Sequence, residues 1–386
     1  MTELRGITWQ HTRGYLPMVA TAQRFSELHP DVQIRWEVRS LQAFADQSIA
    51  QLAEGFDLLV IDHPFCGRAA RGDVLLPLDE LLERPFLGEQ KKNQVGASYD
   101  SYEYGGHLWA LPIDTATPVS GSRIDLMEAR NLQQPRTWTD VLELAKAGHV
   151  VLPAIAIDSL MNFYMLCIAL GEEPFRHSDA VASTQVGAQA LERLRELVSL
   201  CDRACLRRNP IATWELMSST DDALYCPFAY GYSNYARSRY ARRKIEFGAL
   251  VTMDGGAPLR SVLGGAGLSI SRSTRHHDTA AQYAAFVASP EVQSGIYFEA
   301  GGQPGHRTAW MDVEVNRRSN GFFQKTLQTL DEAYVRPRFD GYLHFQEAAG
   351  LIVHRFLSHG GESGAAMEQL NALLRSSQSR DGEEKS

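Results

Sequence analysis

Four clusters of side chains in this chain have the types and spacing to hold a small polar molecule. The first is Trp9-Gln10-His11-Thr12-Arg13-Gly14-Tyr15. The second is Asp62-His63-Pro64, the third is Asp114, and the fourth is Tyr230-Gly231-Tyr232-Ser233-Asn234. Carboxylates such as Asp62 and Asp114 accept hydrogen bonds from hydroxyls, and Trp9, Trp109 or Tyr232 offers a flat partner to the apolar face of a sugar ring. Arg13, His11 and His63 suit a carboxylate or phosphate equally well, Arg13 through its forked guanidinium. The residues alone leave both chemistries open. Each also has a plain structural use. Trp9 can be core, Asp62 can cap the next helix, Arg13 can form a surface ion pair of little value, and His63 can be a buried imidazole. The Tyr230–Asn234 loop carries a further argument, because aromatics and amides at this density are costly to bury without partners.

No arrangement for turnover accompanies these clusters. The chain has no G-x-S-x-G, H-E-x-x-H or G-x-x-x-x-G-K-[ST] motif. Asp62 and His63 could exchange protons, but no nucleophile is placed beside them, so no catalytic residue is assigned. Gly264, Gly265 and Gly267 precede the strand-like run Leu268-Ser269-Ile270-Ser271, whereas a dinucleotide loop opens a helix. Cys201 and Cys205 lie four apart with no further Cys/His pair at zinc spacing nearby, so neither a metal nor any other cofactor is expected. His276-His277 reads as a solvated turn, and Arg336 and Arg338 around Pro337 read as surface residues.

The elements that must position these clusters follow from periodicity. Leu4–Trp9 reads as a strand, and a helix follows from Leu16 with Met18, Ala22 and Phe25 on its buried face. Val32, Ile34, Trp36 and Val38 alternate with polar residues, as in a strand. Leu41–Gly55 reads as helical, and Phe56–Ile61 as a strand buried on both faces. Strand, helix, strand, helix, strand makes an α/β domain with a parallel sheet. In such sheets ligands bind beyond the carboxyl ends of strands, beside helix N-termini, which selects Trp9–Tyr15 and Asp62–Pro64. Gly105-Gly106 signals a hairpin. Pro112–Pro118 breaks the pattern and reads as a crossover. His149–Ile157 reads as a buried strand, followed by helices at 159–170 and 185–200. Further helices are expected at 279–288, 290–300, 341–358 and 362–375, and the polar end, 376–386, reads as disordered.

At 386 residues the chain exceeds one hydrophobic core, so two domains are expected. A net charge of −8 argues against a nucleic-acid partner. Five cysteines, an odd number in a long chain, read as reduced, packed thiols rather than a disulfide scaffold. No run reaches the ~20 apolar residues of a membrane span. The start, Met1-Thr2-Glu3-Leu4-Arg5, runs into a strand with no export signal.

Several stretches, in order, resemble extracellular solute-binding proteins of family 1, the maltose- and oligosaccharide-binding kind. They are FDLLVIDHP (56–64) with LLPLDELL (75–82), YGGHLWALPIDTATPVSGSRIDLM (104–127) with TWTDVLELA (137–145), YCPFAYGYSNYA (225–236), and VLGGAGLSISRST (262–274) with AAFVASPEVQSGIYFEAGGQPGHRTAW (284–310). The resemblance implies a two-lobed α/β fold of the type II periplasmic-binding-protein class with a crossover hinge. The first lobe would be 1–112 plus 262–308 and the second 118–258 plus 309–375. A sugar or sugar derivative would bind in the interlobe cleft, with hinge closure, and would pass to the permease subunits of an ABC importer. The chain would be a periplasmic monomer and not an enzyme, with Trp9, His11, Arg13, Gly14, Asp62, His63, Asp114, Tyr230, Tyr232 and Asn234 around the ligand. Two alternatives stay open. The missing leader and the cysteine count fit a cytoplasmic ligand sensor. Some proteins of this bilobal fold instead make the thiamine pyrimidine from pyridoxal phosphate, but that needs a Schiff-base lysine. None of the six lysines falls in a predicted binding loop.

Overall fold

A computed structural model describes residues 1–253, 256 and 259–383, leaving aside the side chains of Asp46 and of 379–383. The chain forms two compact units, residues 1–116, 263–327 and 338–340, and residues 117–262, 328–337 and 341–386.

The first unit is built on a five-stranded sheet in the order β2-β1-β3-β10-β6. Its strands are β1 (Thr2–Trp9), β2 (Val32–Arg39), β3 (Leu58–Ile61), β6 (Leu111–Ala116) and β10 (Gly264–Ile270). A short hairpin of β4 (Glu103–Tyr104) and β5 (His107–Leu108) follows the Gly105-Gly106 signal. β1 runs parallel to β2 and β3, while β10 runs antiparallel to β3 and β6. All four residues of β3 are buried, as its apolar run requires. The helix Thr12–Leu28 begins four residues before the predicted Leu16. It buries Met18, Ala22 and Phe25, the stripe its spacing predicts; because it starts earlier than expected, Pro17 is its sixth residue rather than a first-turn one and removes one i→i−4 hydrogen bond.

Three expectations here are corrected. The chain passes from one unit to the other within Pro112–Pro118, as read, between Ala116 and Thr117, but the stretch is not irregular: β6 runs through Pro112 to Ala116, and β7 (Pro118–Ser122) starts two residues later. β6 is an edge strand, where a missing N–H breaks no ladder, and Pro118 opens its strand. The helical stretch 41–55 is two helices, Leu41–Asp46 and Ile49–Gly55. Residues 309–327 fold with the first unit rather than the second, because Trp310, Phe322 and Phe323 pack with one another and Phe323 meets Phe298 edge-on.

The second unit has a smaller sheet in the order β8-β7-β9, antiparallel throughout, with β8 at Tyr225–Tyr230 and β9 at Glu246–Gly248. Only Val150 of the expected strand at 149–157 pairs, parallel, with Tyr225, and a helix starts already at Ala156. Four helices, Ala156–Ala169, Thr184–Leu200, Tyr342–His359 and Ser363–Glu383, pack on one another. Gly350 permits a close backbone approach: a Cβ there would stand 2.8 Å from the Ala156 carbonyl oxygen. The last helix runs on through 376–383, within the stretch read as a disordered tail, and 384–386 lie outside the described residues. Burial of Trp138, Trp214, Tyr164 and Tyr235 anchors this unit, each such side chain contributing about 1.5–3 kcal/mol.

Candidate functional site

In the first unit the carboxyl ends of β1, β3 and β6 share one edge of the sheet, since these strands run the same way. Trp9 closes β1. It is buried against Phe44, ring centroids 5.1 Å apart, and its indole N–H has no hydrogen-bond partner among the described residues. Gly14 is required beneath it, because a Cβ there would stand 2.3 Å from the indole Cδ2. His11 caps the helix Thr12–Leu28: its Nδ1 accepts from the Arg13 amide at 3.0 Å. That bond leaves the neutral ring's proton on Nε2. Burial, and then the charge of Arg13, push the His11 pKa down from its ordinary 6.5 to about 4.

Arg13 does not lie on the surface, and its charge is already matched. The guanidinium grips Asp114 with both arms, Nε donating to Oδ2 at 2.7 Å and Nη2 donating to Oδ1. Arg13 is 4% exposed and Asp114 is 1% exposed. Burial raises the Asp114 pKa from 3.8, and the Arg13 charge and hydrogen bond oppose that rise. Two residues named separately as ligand contacts therefore satisfy each other, across 101 positions of sequence. Tyr297 lies within their electrostatic reach and is itself buried. Asp62 Oδ1 accepts from the His63 amide at 2.8 Å and caps the short turn His63–Phe65. His63 is buried, with its Nδ1 3.1 Å from that same oxygen and its ring edge-on to Tyr102.

In the second unit the Tyr230–Asn234 loop follows β8. The Gly231 amide donates to the Thr117 carbonyl at 3.1 Å, and the Trp214 indole donates to the Tyr230 carbonyl at 2.8 Å. Tyr232, Ser233 and Asn234 are buried and Tyr230 is half-buried. Tyr232 and Tyr235 meet edge-on at 6.5 Å, and the Tyr235 hydroxyl donates to Glu215 Oε1 at 2.7 Å, a tie that holds the loop down.

Sequence reasoning missed one residue here. Asp158 lies in the first turn of the helix Ala156–Ala169 and is 4% exposed. Its Oδ2 has no hydrogen-bond partner among the described residues, and burial alone pushes its pKa from 3.8 up to about 8. The available signal was one acid at the head of the apolar run AIDSLMNFYMLCIA. Arg336 and Arg338 also depart from their surface assignment. Arg336 is buried and donates to Gln346 Oε1 at 2.9 Å, and Arg338 donates to the carbonyls of Asp100, Ser101 and Glu103.

All five cysteines are buried and outside any disulfide, and burial lifts Cys201 to about 12 and Cys205 to about 11. Thiols held that high are poor nucleophiles at neutral pH. Among the described residues, no group of three His, Cys, Asp or Glu side chains is arranged to hold a metal, and no helix is long and apolar enough to cross a membrane. What the two strand-tip regions offer is hydrogen bonding and aromatic surface.

Residues 8–190 match the family of bacterial extracellular solute-binding proteins. The whole chain has the two-lobed α/β fold of periplasmic sugar-binding proteins. It is similar to maltose-bound MalE3 of T. maritima at TM-score 0.83 and 17% identity, over 97% of this chain and 99% of that one. It is similar to a solute-binding protein of an ABC transporter from Thermotoga lettingae with bound α-D-tagatose at TM-score 0.82 and 18% identity, over 97% and 100% of the two chains. A third, from Agrobacterium radiobacter K84 in complex with ribitol, matches at TM-score 0.81 and 16% identity, over 97% and 98%.

Proposed function

We propose that this chain is the solute-binding component of an ABC importer, working outside the cytoplasmic membrane, and that its ligand is a sugar or polyol. The observation that carries the reading is full-length likeness to proteins whose structures hold maltose, tagatose and ribitol, joined to the family match over 8–190. The side chains favour the same chemistry. In the first unit Trp9, His11, Asp62 and His63, and in the second the half-buried Tyr230 with Tyr232 and Asn234, are of the types that meet sugar hydroxyls and ring faces. Arg13 and Asp114 pair with each other and brace the tips of β1 and β6. Binding without turnover is the expected behaviour, with ABC permease subunits as partners.

A thermal-shift screen of sugars, polyols, sugar acids and small carboxylates tests this. A ligand that binds the folded chain raises its Tm by mass action, and small-angle scattering of the liganded protein should show a smaller radius of gyration. A screen in which no sugar or polyol raises Tm, or one in which the ligand is consumed, overturns the reading.

A further inference from the structure

The two edges of the first unit's sheet are finished differently. At β6 the chain covers its own edge. The Thr115 amide donates to the Gln303 carbonyl at 3.3 Å, the Gln303 side chain donates to the Thr115 carbonyl at 2.9 Å, and Asp114 bridges to Pro304. β2 is the outer strand at the other edge, and among the described residues no strand pairs with its far side. It follows β1 in register along all eight residues, without a bulge, and it contains neither proline nor lysine. Those are devices that commonly blunt an edge. The Thr2 amide donates to the Asp31 carbonyl and the Gln10 amide to the Arg39 carbonyl, so the odd-numbered residues of β2 are the ones bonded to β1. The backbone N–H and C=O groups of Ile34, Trp36 and Val38 therefore point outward.

The charges on this strand complement their own reverse. Arg35 lies 3.2 Å from Glu3, and Glu37 accepts from Arg5 at 2.8 Å. The Arg35 and Glu37 side chains are still 63% and 54% exposed, which leaves each room for another partner. Set a second copy of β2 antiparallel to the first, with the two-fold axis at Trp36. Ile34, Trp36 and Val38 then meet the partner's Val38, Trp36 and Ile34 and exchange backbone hydrogen bonds. Arg35 faces the partner's Glu37, and Glu37 faces the partner's Arg35. An axis at Arg35 or at Glu37 opposes that charge to itself, and one at Ile34 or Val38 leaves five residues or fewer of Val32–Arg39 in the pairing. On the opposite face a groove of about 530 Å³ runs between the helix Thr12–Leu28 and β2, lined by Tyr15, Val19, Ile34 and Trp36 among others. The partner's Val38 would come to Ile34 at this groove. Val19 and Val38, 40% and 39% exposed, would lose that exposure in the pairing.

We propose that this chain forms a two-fold dimer by pairing β2 with β2 of a second copy, which joins two five-stranded sheets into one. The interface is isologous. Main-chain ladder bonds supply its attraction, and the crossed Arg35 and Glu37 pairs set its register. A second copy is the fitting occupant because the strand is its own electrostatic complement in the register that uses nearly all of its length. The dimer stands apart from the ligand's identity and replaces the monomer that the family resemblance implies.

Sedimentation velocity of the full chain, at concentrations up to about 0.5 mM, tests this. The wild type should move from monomer towards dimer as concentration rises. V38P removes an N–H that points away from β1, a change an edge strand tolerates, and should stay monomeric. R35E and E37R each set like charges opposite one another in both crossed pairs, and each should raise the dimer dissociation constant at least about fivefold. Mixed together, these two single variants should associate with each other, since every crossed pair then joins opposite charges again. High salt should narrow the gap between wild type and single variants, because exposed pairs are screened. Thermal melts check that each variant is folded, and the mixing experiment decides the matter if V38P is not. A wild type that stays monomeric throughout overturns the proposal and leaves the edge to a segment of another protein. A folded V38P that dimerises as the wild type does, or a mixture that associates no better than either variant alone, overturns it equally.

Discussion

Two regions of this protein, one in each unit, treat buried charge in opposite ways. At the first unit's sheet edge, Arg13 and Asp114 close on each other through a two-armed ion pair, and Gly14, next to Arg13 in the chain, packs against Trp9 with no room for a methyl group. In the second unit, Asp158 at the start of the helix Ala156–Ala169 is buried to the same degree, with no cation acting on it among the described residues. The first arrangement is a finished piece of architecture: removing either partner exposes the other to the full penalty of an unpaired buried charge. The second is unfinished by the fold's own standards, and natural proteins tend to keep such groups where function outweighs stability. Equal burial thus carries opposite meanings, and the presence or absence of a partner distinguishes them.

That contrast can be broken most directly at Arg13. Arg13→Ala should lose about 3–5 kcal/mol of unfolding free energy in urea titration, while the paired change Arg13→Met with Asp114→Leu should recover most of it. A loss below about 1 kcal/mol for Arg13→Ala would mean the pair is wet and the first region is not closed. Next in size is Gly14→Ala, whose methyl meets the Trp9 ring. It should lose about 1–3 kcal/mol through overpacking and shift the tryptophan emission.

Asp158→Asn sharpens the comparison because its expected sign is reversed. The folded protein holds the Asp158 proton up to a pKa of about 8, against an ordinary 3.8. The contribution is therefore most favourable at low pH and is lost as pH rises from about 4 through 8. Asp158→Asn should gain about 1–2 kcal/mol at pH 8 and almost nothing at pH 4, as read from denaturant midpoints at the two pH values. The smallest effect belongs to His11. Its pKa is lowered to about 4 in the fold, so the neutral ring is the stable one and stability falls as pH drops from about 6.5 towards 4. His11→Asn keeps a capping side chain and should flatten that slope while changing stability by no more than about 1 kcal/mol at pH 7.

Local order was legible in the sequence wherever one face of an element is apolar. β1, β2, β3 and the buried stripe of the helix Thr12–Leu28 follow from alternation and 3.6-residue spacing, and the full-length likeness agrees with the ordered set of resembling stretches. What stayed hidden is long-range. No spacing rule links Arg13 to Asp114, so their ion pair was not legible in the sequence. Pro112 read as a break because propensity does not know which strand is at an edge. Asp158 was passed over because thirteen neighbours in its helix, mostly apolar, made the segment read as core. Trp310, Phe322 and Phe323 joined the first unit through ring contacts that periodicity does not describe.

The position of β10 has a consequence for how this protein is made. It is the fourth strand across the first sheet yet lies about 150 residues downstream of β6, and all three strands of the other sheet are encoded in the interval. At ribosomal rates of roughly 5–20 residues per second, β3 and β6 wait on the order of ten to thirty seconds with bare edges before Gly264–Ile270 emerges to join them. Through that interval the nascent chain carries two open hydrogen-bonding ladders, the kind of surface on which neighbouring chains misassemble. Yield in cells should therefore depend on whatever shields those ladders during synthesis, and slowing the ribosome within residues 117–262 should lower the soluble fraction without altering a single native contact.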